Sequence, residues 1–211
     1  MEQVKKRVAP EVFNAITHGL GVILAIVGTI VLTIKAQQIR YGLADEIGFI
    51  IYGSSMIALF LSSTLYHSFW FWRYQFIFQK LDHACIYLLI AGTYTPYLIT
   101  AIGGKLGIGF LILIWLIAIV GISFELGFTN RFPRLSTILY LVMGWISLVM
   151  IYPLYQAVEL PALLWLGGGG LVYSAGTFFY QKKHNPWMHV IWHLFVLAGA
   201  ACMFVSIYVY L

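Results

Sequence analysis

Two histidines, His189 and His193, stand four residues apart in the segment PWMHVIWHLFVLAGAAC, which is otherwise mostly apolar. Residues four apart lie on one face of a helix, so both imidazoles can approach the same metal ion. The segment SSTLYH gives Ser63 and His67 the same spacing. Three imidazoles, from His67, His189 and His193, with a water in the fourth position would form the open tetrahedral site typical of catalytic zinc. The sequence therefore predicts a Zn²⁺ site held by these three histidines.

Two further residues are predicted to take part in catalysis beside this metal. Zinc lowers the pKa of a bound water toward about 7, and a neighbouring carboxylate can carry the proton away. Asp82, in the segment QKLDHACIYLL, is the predicted carboxylate. For Ser63 two interpretations stay open: its hydroxyl contributes to the site, or it bonds the carbonyl four residues earlier in its own helix.

Other polar residues near these motifs are assigned to packing or to loops. Cys85 lies one turn after Asp82, and a cysteine inside an apolar run usually behaves as a small hydrophobic residue. His83 directly follows Asp82, so on a helix it is expected to face away from it, and we exclude it from the site. His184 is assigned to a loop.

The segment EVFNAITHG contains Glu11, Asn14 and His18, which share one face of a helix. These residues either line the cytoplasmic mouth of the site or serve as capping and interhelical hydrogen-bonding groups. The sequence leaves both roles open.

The elements that must position these residues are membrane-spanning helices. Hydrophobic residues make up 62% of the 211 residues and charged residues 9%, against about 25% charged in soluble domains. The apolar runs lack the alternation of a β-barrel, and the basic residues form no cluster that would indicate nucleic-acid binding. We predict an all-α membrane protein, one domain over residues 1–211 formed by a seven-helix transmembrane bundle. Each bilayer crossing needs about 20 apolar residues, and such runs lie near 16–36, 47–68, 81–102, 106–125, 135–155, 160–180 and 187–210.

The distribution of lysine and arginine predicts the direction of the helices. One side of the predicted bundle holds nine of them: Lys5, Lys6, Arg7, Arg73, Lys80, Arg131, Arg134, Lys182 and Lys183. The other side holds three: Lys35, Arg40 and Lys105. Because cytoplasmic loops carry the excess of basic residues, the N-terminus is predicted in the cytoplasm and the C-terminus outside. On this topology the predicted site residues and His18 all lie near the cytoplasmic face.

Jointly, the motifs NAITHG, SSTLYH, LDHACIYLLIAGTYTP and HVIWH resemble the hemolysin III family, the bacterial branch of the progestin and adipoQ receptor superfamily. The resemblance covers nearly the whole chain. It implies a seven-helix bundle in a bacterial cell membrane, with zinc held near the cytoplasmic leaflet. The family's S-x-x-x-H element corresponds to Ser63 and His67, its acidic residue to Asp82, and its H-x-x-x-H element to His189 and His193.

Three functions are compatible with these features. The first is a zinc-dependent, ceramidase-like hydrolase of a lipid amide or ester, in which Asp82 passes a proton to the leaving group. The second is a non-enzymatic protein of receptor or membrane-homeostasis type, in which zinc ties two helices together. The third, a pore-forming cytolysin, is disfavoured because a chain with seven apolar spans has no soluble form before insertion. Membrane lipids are the expected partners, nucleic acid is not, and the oligomeric state stays open.

The predicted topology can be tested with a reporter fused after Leu211. Nine basic residues lie on the predicted cytoplasmic side and three on the other side. We therefore expect the reporter to be detected outside the cytoplasm. A cytoplasmic reading would contradict the assignment of the site to the cytoplasmic face.

Overall fold

The computed structural model describes residues 2–39, 42–129, 131–182 and 184–211, with side chains from Arg7 onward. Of the basic residues behind the topology prediction, Arg40 and Lys183 and the side chains of Lys5 and Lys6 lie outside this description. Across the described ranges every regular element is helical. The α-helices are Glu2–Ile39, Leu43–Ser68, Gln75–Pro96, Gly104–Phe128, Pro133–Trp145, Ile151–Ala157, Leu160–Tyr180 and Pro186–Tyr210.

Two short irregular helices join some of these elements into longer ones. A π-helical segment, Tyr97–Ile102, extends the third helix, and a 3₁₀ segment, Ile146–Met150, joins Pro133–Trp145 to Ile151–Ala157. The described residues thus form seven helical runs long and apolar enough to cross a membrane, here called spans 1 to 7 in chain order. The prediction of an all-α protein with seven membrane-spanning helices is confirmed.

The packing of span 1 explains how distant parts of the sequence meet. Span 1 packs along span 2 on one side and along span 7 on the other, and span 3 packs against span 2. Buried apolar side chains of spans 1, 2 and 7 belong to one core; they include Ala25, Leu32, Phe60 and Ile207. As a result, the inner end of span 2 and the start of span 7 lie next to the N-terminal part of span 1.

Spans 6 and 7 approach each other through glycines. A Cβ added at Gly176 would lie 2.8 Å from the Cβ of Phe195, and one added at Gly199 would lie 2.8 Å from the ring of Tyr173. Both separations are too short for a real side chain. Small residues at such positions let membrane helices pack closely, so span 6 is fixed against span 7.

Span 5 is interrupted in its middle by the side chain of Tyr94 from span 3. In a regular helix the Met143 carbonyl would accept from the amide of Ser147. Here the Ser147 amide donates to the Tyr94 hydroxyl at 2.7 Å, and that hydroxyl lies 3.0 Å from the Met143 carbonyl and 2.8 Å from that of Gly144. Insertion of a side chain into the backbone ladder is a recognised cause of helix distortion, and the 3₁₀ segment begins at this point.

Tyr94→Phe tests this account. The substitution leaves a backbone amide and carbonyls without their partner in an apolar environment, which should reduce the free energy of unfolding by about 1–3 kcal/mol. The measurement is unfolding of the purified protein in detergent. Tyr152→Phe, at a residue that is 72% exposed on the same span, is the matched control. If Tyr94→Phe is as stable as wild type, the backbone groups of span 5 form their hydrogen bonds within the helix when the Tyr94 hydroxyl is absent, which would contradict this account.

Candidate metal centre

Three histidines from two spans converge at the end of the bundle where span 7 begins. Ligand nitrogens of His67, His189 and His193 all lie within 4.8 Å of one another. His67 comes from the last turn of span 2, and the other two come from the first turns of span 7. The ring centroids are 4.7–5.1 Å apart. The structure therefore brings together the three residues predicted as metal ligands, in an arrangement that could hold a metal ion.

The chemistry of this cluster fits a transition-metal ion. Imidazole nitrogens are ligands for zinc, copper, iron and nickel. Nε2 of His67 is buried and has no hydrogen-bond partner among the described atoms, which is costly unless a ligand satisfies it. Tetrahedral zinc, with bonds of about 2.0–2.1 Å, would hold its nitrogens about 3.4 Å apart. The cluster must then contract by roughly 1.5 Å, a distance that side-chain rotation can cover.

The N-terminal part of span 1 forms one wall of the cluster. Nδ1 of His67 lies 2.6 Å from Oε2 of Glu11, and Nδ1 of His193 lies 3.3 Å from the backbone oxygen of Asn14. The ring of His18 stacks on that of His193 with centroids 3.7 Å apart. The sequence left two roles open for EVFNAITHG, and the structure shows both contact with the site and interhelical hydrogen bonding.

Asp82 and Ser63 lie beside the cluster without joining it. Both are buried, and both line a cavity that His189 and His193 also line. Asp82 is not part of the group of closely spaced ligand atoms, consistent with a carboxylate that acts next to a metal. The Ser63 hydroxyl makes no hydrogen bond to a carbonyl of its own helix, so that alternative is not observed. Ser63 instead interacts with the carboxyl group of Asp82.

The cluster stands between two cavities of different character. A polar vestibule of about 190 Å³, lined among others by Arg7, Glu11, His67 and Lys182, lies at the end of the bundle. The second, here called the apolar cavity, has a volume of about 200 Å³ and runs from His193 and the other site residues to Leu154, between spans 3, 5, 6 and 7. His83, Tyr180 and His189 line both cavities and form the partition between them.

His83 is not among the described residues that could share a metal ion, as expected, but it lies near the site. His83 lines the same apolar cavity as Asp82, because consecutive helix residues are only about 100° apart and the cavity covers more than one face of span 3. Its Nδ1 lies 3.6 Å from Oε2 of Glu125, a span 4 residue that is 1% exposed. Sequence reasoning missed Glu125, although a carboxylate within the apolar run SFELGF is itself a signal of a functional or paired group.

The two remaining assignments agree with the structure. Cys85 packs against the apolar core and is not among the described residues that could share a metal ion. His184 is exposed in the turn between spans 6 and 7.

Comparisons with known proteins give one consistent result. The family model described as "Haemolysin-III related" matches residues 6–204. The chain is 46% identical to the Hemolysin-3 homolog of Bacillus subtilis (strain 168), over 95% of this chain and 93% of that protein. It is 44% identical to Hemolysin-3 of Bacillus cereus, over 100% of this chain and 95% of that protein. The human Monocyte to macrophage differentiation factor is 29% identical, over 94% of this chain and 83% of that protein.

The histidine cluster predicts a defined metal content. Protein purified without chelators should hold about one transition-metal ion per chain, the stoichiometry of a single three-histidine site. His67→Ala, His189→Ala and His193→Ala should each abolish it, whereas His184→Ala, at an exposed histidine outside the cluster, should keep it. Elemental analysis of each variant provides the measurement. Full occupancy in His189→Ala would show that span 7 does not supply the ligands.

Proposed function

This chain belongs to the haemolysin-III-related family, and from that premise and the geometry of its site we propose that it is a zinc-dependent hydrolase of a lipid amide or ester. The ceramidase-like reaction that the sequence suggested is the specific form of this proposal. The protein is a multi-pass integral membrane protein, and its Bacillus relatives indicate the bacterial cell membrane as its location.

The observation that carries the proposal is the apolar cavity next to the histidines. Leu148 and Ile151 of span 5 line this cavity and are 55% and 49% exposed. From this exposure we infer that the cavity is open along span 5, toward the position of lipid tails. An acyl chain could lie in it, with its amide or ester group beside Asp82 and the histidines. A purely structural metal site needs no such cavity.

The polar groups around the cluster match the needs of hydrolysis. A zinc ion at the three histidines would supply Lewis-acid polarisation of the carbonyl and acidify a water molecule. The polar vestibule provides that water with a route to the site. Asp82 would accept the water proton as the oxygen forms its bond to the carbonyl carbon. It would then deliver the proton to the leaving nitrogen or oxygen as that bond breaks. The Ser63 hydroxyl, which interacts with Asp82 and bonds no carbonyl of its own helix, is placed to orient the carbonyl group beside that carboxylate.

A second candidate is a non-enzymatic protein of receptor or membrane-homeostasis type. It is favoured by the packing of spans 2 and 7 on the same span 1, because a zinc ion held by His67, His189 and His193 would tie spans 2 and 7 together beside it. A cytolytic pore, which the names of the Bacillus relatives suggest for those proteins, is the least supported for this chain. Its seven apolar spans leave no soluble form from which to insert.

Asp82→Asn separates the enzyme from the structural clamp. In both cases the three histidines bind zinc, so their removal cannot discriminate. Loss of a general base costs about 10²–10⁴-fold in rate, so the variant should keep its zinc at saturating metal and lose most hydrolysis of a ceramide-like substrate. The measurement is product release from lipid amides and esters in detergent or nanodiscs, with zinc content determined on the same samples.

Glu159→Gln, at an exposed acid before span 6, is the control and should hydrolyse like wild type. The hydrolase proposal fails if zinc-loaded wild type releases no product from a broad panel of lipid amides and esters. It also fails if Asp82→Asn turns over as fast as wild type. The first outcome would leave the structural clamp as the remaining reading of the site.

A further inference from the structure

Glu11 makes a short polar contact to one histidine of the cluster. Its Oε2 lies 2.6 Å from Nδ1 of His67, and its side chain is 19% exposed at the edge of the polar vestibule. A carboxylate offers only hydrogen-bond acceptors. Nδ1 of His67 must therefore carry the proton and donate it to Glu11.

The side chain of Asn14 offers a competing arrangement. Its Nδ2 lies 3.5 Å from the same Nδ1, and donation from that amide would require an unprotonated Nδ1 with the proton on Nε2. A separation of 3.5 Å is at the outer limit of a hydrogen bond, whereas charge-assisted bonds are short and about twice as strong as neutral ones. The contact to Glu11 therefore decides which nitrogen is protonated.

The consequence falls on the opposite nitrogen of the ring. With the proton on Nδ1, the lone pair of His67 is on Nε2, the buried atom that has no described hydrogen-bond partner. His193 follows the same rule, because its Nδ1 can only donate to the Asn14 carbonyl at 3.3 Å. Span 1 thus leaves the Nε2 lone pairs of two histidines, from spans 2 and 7, free of the bonds to Glu11 and Asn14 and available to a metal ion.

We propose that Glu11 is a positioning residue for the metal centre, which holds His67 in the Nδ1-protonated form and fixes its ring orientation for binding through Nε2. This inference rests on the metal site of the proposed function, and it extends that site to the N-terminal part of span 1. A carboxylate that accepts from a ligating histidine fixes the tautomer and raises the basicity of the ligand. Its removal should weaken metal binding without removing a ligand.

The test is the affinity of the full chain for Zn²⁺ and Co²⁺, measured by competition with a chelating dye in detergent. Glu11→Ala should bind both ions about 10–100-fold more weakly than wild type. Glu11→Gln keeps a neutral hydrogen-bond acceptor, so its affinity should lie between those of Glu11→Ala and wild type. Glu125→Gln is the matched control, because it removes a buried carboxylate from a histidine outside the cluster, His83. It should bind within about twofold of wild type, since it leaves the ligands and their hydrogen bonds intact.

The visible absorption of Co²⁺ at saturating metal distinguishes positioning from ligation. If Glu11 only positions His67, the saturated spectra of wild type and both Glu11 variants should agree in band position and intensity. A changed spectrum in the variants would make Glu11 a ligand and overturn the proposal. Folding of the variants is checked by size-exclusion chromatography. If Glu11→Ala does not fold, only Glu11→Gln is compared with wild type.

Two affinity results would overturn the inference in different ways. Wild-type affinity in the folded Glu11 variants, with loss of binding in His67→Ala, would refute the role of Glu11 and leave the metal site intact. A wild-type chain that binds neither ion would refute the metal site together with this inference.

Discussion

Four histidine rings lie where the bundle largely excludes water, and each buried ring nitrogen there needs a hydrogen bond or a metal ion. His18, His67 and His193 are at most 3% exposed, and His189 is half-buried. Span 1 satisfies one nitrogen of His67 through Glu11 and one of His193 through the Asn14 carbonyl. Ligand nitrogens of His67, His189 and His193 lie within 4.8 Å of one another, so a shared ion could satisfy them. The packing of spans 1, 2 and 7 brings them to this distance.

The two sides of the bundle are packed for different purposes. Spans 1, 2 and 7 are closely packed around the cluster, and span 6 is fixed to span 7 through Gly176 and Gly199. Span 5 has lighter contacts with its neighbours, and Tyr94 interrupts its backbone hydrogen bonds. The rigid side fixes the three histidines, whereas the loose side leaves room for the apolar cavity. This division is compatible with the proposed hydrolase, which would hold an ion at the closely packed side and admit a lipid at the other.

The cluster also lies where two environments meet. The polar vestibule carries charged groups such as Arg7 and Lys182, whereas the apolar cavity continues between the spans toward Leu154. An amphipathic molecule that enters from the membrane would place its polar group at His189, Tyr180 and His83, which line both cavities. Water would reach the same point from the vestibule. For the proposed hydrolase, this arrangement would suit a lipid with a polar linkage close to its head.

The sequence by itself determined the seven spans, because about 20 apolar residues in a row leave the chain no other way to satisfy its backbone in a membrane. It also identified the three histidines, since the spacing of His189 and His193 is a local property of one helix. It could not assign Glu11, because the contact with His67 joins residues 56 positions apart, and only the packing of span 1 on span 2 creates it. It missed the contact between His83 and Glu125 for the same reason, because that contact joins spans 3 and 4. The width of a cavity and the partner of a buried carboxylate depend on how the helices pack, which no single segment encodes.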